Sequence, residues 1–167
     1  VISTFPWVET FDNAWDYNPM TDTVFHPAPL CWLNMSAKAA SSTYIAKQSS
    51  GDAYINGYTS STSTNEAYRN SEWLMTPVLE LTGNETLTFF TKKSSSSYSP
   101  ELRIYAFELS DGDVTSLADT SAFFLLDSIT TFATTYEEKE ISLEELSGQY
   151  RLAFVRNRKI AQGAIYV

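Results

Sequence analysis

Thr86-Leu87-Thr88-Phe89-Phe90-Thr91 decides the fold class. Leu87 and Phe89 fall on one face and Thr86 and Thr88 on the other, the period of two of a strand that packs one face and wets the other. Leu152 and Phe154 repeat the alternation near the C-terminal end. Working outward, apolar or β-branched runs recur at Leu30 to Met35, Thr43 to Lys47, Trp73 to Leu81, Leu102 to Leu109, Ala122 to Leu126, Glu138 to Leu143, Tyr150 to Arg156 and Ala164 to Val167. With Thr86 to Lys92 these make nine expected strands, and no window carries the i, i+3, i+4, i+7 spacing of a helix. Turn chemistry separates them at Ser49-Ser50-Gly51-Asp52, Asn56-Gly57, Thr82-Gly83-Asn84, Ser94 to Pro100, Asp111-Gly112-Asp113 and Ser147-Gly148. Short strands spaced by turns predict an all-β jelly-roll sandwich of two antiparallel sheets. Its core is expected to hold Trp32, Trp73, Leu87, Phe89, Ile104, Ile141, Leu143, Leu152 and Phe154.

The 167 residues fit one domain, 1–167, and 43% apolar residues supply a core without disulfides. One Cys makes no internal bridge, and Cys31 with His26 falls short of a four-ligand zinc site. A net charge of -9 argues against a nucleic-acid partner, because displacing counterions from phosphates needs a basic face. No apolar run approaches the ~18 residues of a membrane span. The chain starts at Val1 with no Met, basic segment or apolar leader, and is read as a processed or trimmed piece of an exported protein.

Chemistry-bearing candidates are few. A serine triad would rest on His26 alone, in a proline-bracketed segment, with no G-x-S-x-G elbow. Cys31 reads as a small buried hydrophobe. The acids Glu137, Glu138, Glu140, Glu144 and Glu145 read as a solvated sheet edge, and Asp111-Gly112-Asp113 as a turn. The expectation is therefore no catalytic residue and no required cofactor. Calcium draws oxygen ligands from distant segments, which leaves Glu9 and Asp12, in the acidic N-terminal group with Asp16, as candidate ligands of a structural ion. Trp15, Tyr17, Tyr54, Tyr58 and Tyr68 lie in polar surroundings and are the candidate ligand-binding aromatics. Asn34-Met35-Ser36 and Asn84-Glu85-Thr86 match the glycosylation sequon.

Taken in order, Phe5-Pro6-Trp7-Val8-Glu9-Thr10-Phe11, Cys31-Trp32, Glu72 through Leu81 with its Trp73-Leu74-Met75-Thr76-Pro77 core, Ser142-Leu143 through Gly148 to Phe154, and Ile165-Tyr166-Val167 span nearly the whole chain. Together they resemble the cleaved-adhesin, or choice-of-anchor J, family of bacterial secreted proteins. The resemblance implies a jelly roll without catalytic residues, similar to carbohydrate-binding and MAM-type jelly rolls. It implies a monomeric binding module within a multidomain protein, secreted or at the bacterial cell surface, that recognises glycan or a host or matrix protein. Alternatives are a carbohydrate-active or peptidase enzyme on the same fold, or a structural spacer. Some members carry calcium, and the family pattern sets Glu9 near an acidic pair that follows the last strand.

Overall fold

A computed structural model describes residues 1–13, 25–26, 28–29, 31–36, 46–49, 52–55, 72–97, 99–110, 112–115, 117, 120–157 and 164–167. Among these the only regular elements are twelve strands: β1 (Phe25–His26), β2 (Leu33–Ser36), β3 (Ala46–Ser49), β4 (Asp52–Ile55), β5 (Glu72–Met75), β6 (Leu79–Thr82), β7 (Thr86–Lys93), β8 (Glu101–Glu108), β9 (Phe123–Ile129), β10 (Glu137–Ser142), β11 (Ser147–Asn157) and β12 (Ile165–Tyr166). They form two antiparallel sheets. One has the order β1-β2-β5-β11-β8-β9, with β6 also paired to β11; the other has the order β10-β7-β12-β4-β3. The chain passes between sheets at β2–β3, β4–β5, β6–β7, β7–β8, β9–β10, β10–β11 and β11–β12, the hand-over of a jelly roll. No helix of the described residues is long and apolar enough to cross a membrane.

Between the sheets, Leu74 and Phe154 of the larger sheet meet Phe89, Ile141 and Ile165 of the smaller one. Leu81, Leu143, Leu146 and Leu152 extend the packing toward the other end. Of the nine expected core residues, eight are buried and Leu87 is half-buried. Trp73, however, is not between the sheets. It packs with Met35, Met75, Phe123, Ala153 and Val155 on the opposite face of the larger sheet, beneath Val114 and Leu117 of the β8–β9 connection. Strand β11 is therefore covered on both faces rather than wet on one, which is why Tyr150 to Arg156 reads as a nearly continuous apolar run.

Three expectations about strands are corrected. Trp73 to Leu81 is two strands, because Pro77 has no N–H to give to β11. At the break the Thr76 hydroxyl accepts the Leu152 N–H at 3.0 Å and the Thr76 N–H donates to the Leu152 carbonyl at 2.9 Å, so the ladder closes around the proline. Ser147-Gly148 opens β11 opposite Thr82 and Leu81 instead of forming a turn, with Gly148 at φ +120°. The short β1 and β4 are additional.

Two carboxylates stitch the connections. Glu85 closes the β6–β7 turn by accepting the Thr82 hydroxyl and the N–H groups of Thr82, Gly83 and Asn84, while Gly83 takes φ +83°. Asp113 does more than turn the chain: its two oxygens accept Nε and Nη2 of the buried Arg151, each at 2.7 Å, and tie the β8–β9 connection to the sheet. In both acids the partial burial that would raise the pKa is outweighed by donated hydrogen bonds, and for Asp113 also by the Arg151 charge, so both titrate below the usual carboxylate range. A carboxyl whose folded pKa is depressed adds stability above its unfolded pKa and loses it as pH falls through the folded value. The melting midpoint should therefore decline below about pH 4. Asp113→Asn should make that decline shallower, and unchanged acid limbs in a thermal series would contradict the assignment.

Candidate binding site

The site grows from strand alternation in the smaller sheet. Leu87 and Phe89 of β7 and Ile165 of β12 point into the sandwich, so Thr88, Phe90, Lys92 and Tyr166 take the outer face. Register places Tyr166 opposite Lys92 on one side and opposite Tyr54 on the other. The Thr91 hydroxyl donates to the Tyr166 carbonyl at 2.7 Å and Val167 exchanges two backbone hydrogen bonds with Ala53, which holds the short β12 in place. Tyr136, just before β10, completes the group. Lys92 Nζ lies 4.1 Å from the Tyr136 ring centroid and 4.7 Å from that of Tyr166, a cation held by two π faces. Burial, followed by the hydrogen bond of its hydroxyl to Asp52, pushes the Tyr136 phenol well above its ordinary pKa, so it remains a donor throughout the physiological range. The face is open: Tyr136 is 39% exposed and the neighbouring Phe90 56%.

A cleft of about 1040 Å³ adjoins this face and reaches the interior. Asp52, Thr88, Phe90 and Tyr136 stand at its outer side, Leu81, Leu87, Leu152 and Phe154 at its inner side, and the N-terminal segment Phe5 to Phe11 along one wall.

Glu9 Oε1 accepts the Phe11 N–H at 2.8 Å and Oε2 accepts Trp32 Nε1–H at 3.2 Å, so this carboxylate anchors the N-terminal segment on a core indole. Asp12 is exposed, and among the described residues no three His, Cys, Asp or Glu side chains converge as a metal site would require. Trp15, Tyr17, Tyr58 and Tyr68 lie outside the described residues, and Tyr54 is described only through its backbone on β4. His26 sits on β1 opposite Asn34. Cys31 is exposed at φ +66° rather than buried, because Trp32 N–H closes a turn onto the Pro29 carbonyl there. Asn34 is 1% exposed and so closed to glycosylation, whereas Asn84 stands exposed in the β6–β7 turn. The acids Glu137, Glu138 and Glu140 do line an exposed edge strand, β10. Lys92, Tyr136, Tyr166 and Asp52 are the residues that sequence reading missed; the signal available was the alternation that turns Lys92 and Tyr166 away from Phe89 and Ile165.

No protein-family model matches the chain, and no curated protein matches it in sequence. Solved structures do. The K3 cleaved adhesin domain of Lys-gingipain from Porphyromonas gingivalis W83 superposes with a TM-score of 0.59 at 17% identity, over 83% of this chain and 89% of that one. The K1 cleaved adhesin domain of the same protein gives 0.56 at 18% identity, over 95% and 91%. The chain has the cleaved-adhesin fold. A CBM4 carbohydrate-binding module, at a TM-score of 0.50 and 12% identity over 94% of this chain and 91% of its own, has the same jelly-roll arrangement as this adhesin-fold sandwich. At these identities what is shared is the fold, and it agrees with the ordered motifs from Phe5 to Val167.

Proposed function

We propose that the chain is a non-catalytic binding module that works outside a bacterial cell and takes glycan on the outer face of its smaller sheet. The observation that carries this reading is the group Tyr136, Lys92, Tyr166 and Asp52, in which two tyrosine rings, a cation and a carboxylate share one exposed sheet surface. A pyranose offers an apolar C–H face and a rim of hydroxyls. Tyrosine rings match the first, while Lys92 and Asp52 supply a donor and an acceptor for the second. The fold shared with adhesin domains and a carbohydrate-binding module supports the same direction. The test is a glycan array probed with the purified domain. At least one glycan class should bind, and Tyr136→Ala should weaken it by tenfold or more, about 1.4 kcal/mol. Turnover of a bound glycan, abolished by a single carboxylate substitution, would replace this reading with an enzyme.

A further inference from the structure

Strand pairing carries the face beyond the Tyr136, Lys92 and Tyr166 group. The Leu143 N–H donates to the Glu85 carbonyl, so by alternation Leu87/Ile141, Phe89/Lys139 and Thr91/Glu137 are the hydrogen-bonded pairs of β7 and β10. Phe90/Glu138 and Thr88/Glu140 are the pairs between them, with Cα atoms about 4.5 Å apart and side chains at their closest. Both share the outer face with Lys92, and Tyr136, one residue before Glu137, continues the series beside Lys92. The outer face thus presents three rungs in line, Tyr136/Lys92, Glu138/Phe90 and Glu140/Thr88, each about 7 Å from the next. Phe90 is 56% exposed, and among the described residues no ring pairs with it. Glu138, Glu140 and Thr88 are exposed, and among the described residues none of the three makes a side-chain hydrogen bond or ion pair. A charged edge that repels other strands accounts for Glu138 and Glu140 but has no need of Phe90.

Resting on the glycan reading, we propose that the ligand is a non-acidic oligosaccharide lying along β7 and β10, with its second sugar stacked on Phe90. The first sugar sits on Tyr136, Lys92 and Tyr166, and a third reaches Thr88 and Glu140. An exposed ring beside a carboxylate with open acceptor sites repeats, one step along β7, the combination of ring and polar group found at the first rung. The Phe90 ring meets the apolar face of a pyranose, and Glu138 accepts hydroxyls at its rim. A spacing of about 7 Å leaves room for one pyranose on each rung. Charge then selects the class of sugar. Asp52, Glu138 and Glu140 outnumber Lys92 along the rungs, so a chain that carries a carboxylate on every unit meets like charge at the second and third.

The test titrates neutral gluco-, manno- and galacto-oligosaccharides, each from monosaccharide to tetrasaccharide, and the matching oligouronates into the full chain. The same titrations are run on Phe90→Ala, on Tyr136→Ala and on Glu138→Gln combined with Glu140→Gln. In at least one neutral series affinity should rise tenfold or more from monosaccharide to trisaccharide, and the matching uronate trisaccharide should bind at least tenfold more weakly than the neutral one. Phe90→Ala, at an exposed position, should keep the melting midpoint and flatten the rise with length, whereas Tyr136→Ala weakens every length. The double glutamine variant should narrow the gap between neutral and uronate chains. Equal affinity for monosaccharide and trisaccharide, a full rise retained in Phe90→Ala, or tighter binding of the uronate would overturn the proposal and leave the glycan reading in place. Binding in none of these series would overturn it too, and the glycan reading itself then stands or falls on the array.

Discussion

Phe154→Ala should lower stability by about 3–5 kcal/mol, a fall in the melting midpoint of roughly 10 °C. Phe154 is 3% exposed on β11, the strand that pairs with β5, β6 and β8. Its ring stacks on Trp32 at 6.5 Å between centroids and meets Phe89 of the opposite sheet edge-on at 5.1 Å. Removing it takes the joint between the sheets away and leaves a void lined by two rings, Phe89 held on the paired strand β7 and Trp32 held by its bonds to Glu9 and the Pro29 carbonyl, so little of the space can close. Phe154→Leu keeps most of the volume and should recover most of the loss. Denaturant melts of both variants check this, and a cost below about 1 kcal/mol for the alanine variant would mean that the sheets do not meet through this ring.

Arg151→Ala should cost about 3 kcal/mol by a different route. Arg151 is 6% exposed, and besides its paired bonds to Asp113 its Nη1 donates to the Thr76 carbonyl at 2.6 Å and the Cys31 carbonyl at 3.1 Å. One guanidinium thus joins the β8–β9 connection, the proline break between β5 and β6, and the turn before β2. Truncation leaves the buried Thr76 carbonyl without this donor and frees the connection that covers Trp73. Asp113 is the half-exposed partner, with 43% of its side chain accessible, so water replaces part of what it loses and Asp113→Ala should cost less. The double variant should fall well short of the sum of the two, since both remove the same bond. Full additivity would show that the pair contributes nothing jointly.

The sandwich was legible because alternation in Thr86 to Thr91 and burial of Phe89, Leu152 and Phe154 follow from one pattern. The double burial of β11 was not, since what covers Ala153 and Val155 is a connection whose return over the sheet depends on the distant Asp113–Arg151 pair. Trp73 to Leu81 read as one strand although Pro77 lies within it, and the hydroxyl of Thr76 that mends the ladder at the break gains meaning only when Leu152 lies opposite. Asp52-Ala53-Tyr54-Ile55 alternates as a strand should, yet at four residues between turn signals it carries too little pattern to stand out. The candidate site was largely hidden for a similar reason. Lys92, Tyr136, Tyr166 and Asp52 come from four separated segments, and only strand order brings them together. Glu9 was singled out as a candidate calcium ligand, and in the fold its carboxylate accepts the Phe11 N–H and the Trp32 indole N–H, a role that depends on a residue 23 positions away and so could not be read from its neighbours.

The most direct test of the binding account is a calorimetric titration of an array-selected glycan into the wild-type chain and into Tyr136→Ala, Lys92→Ala and Tyr166→Ala, with Phe124→Ala on the other sheet as control. The account predicts saturable binding by the wild type and the control, and at least tenfold weaker binding by each of the three variants. Unchanged affinity in all three would place the ligand elsewhere and contradict the assignment of this face.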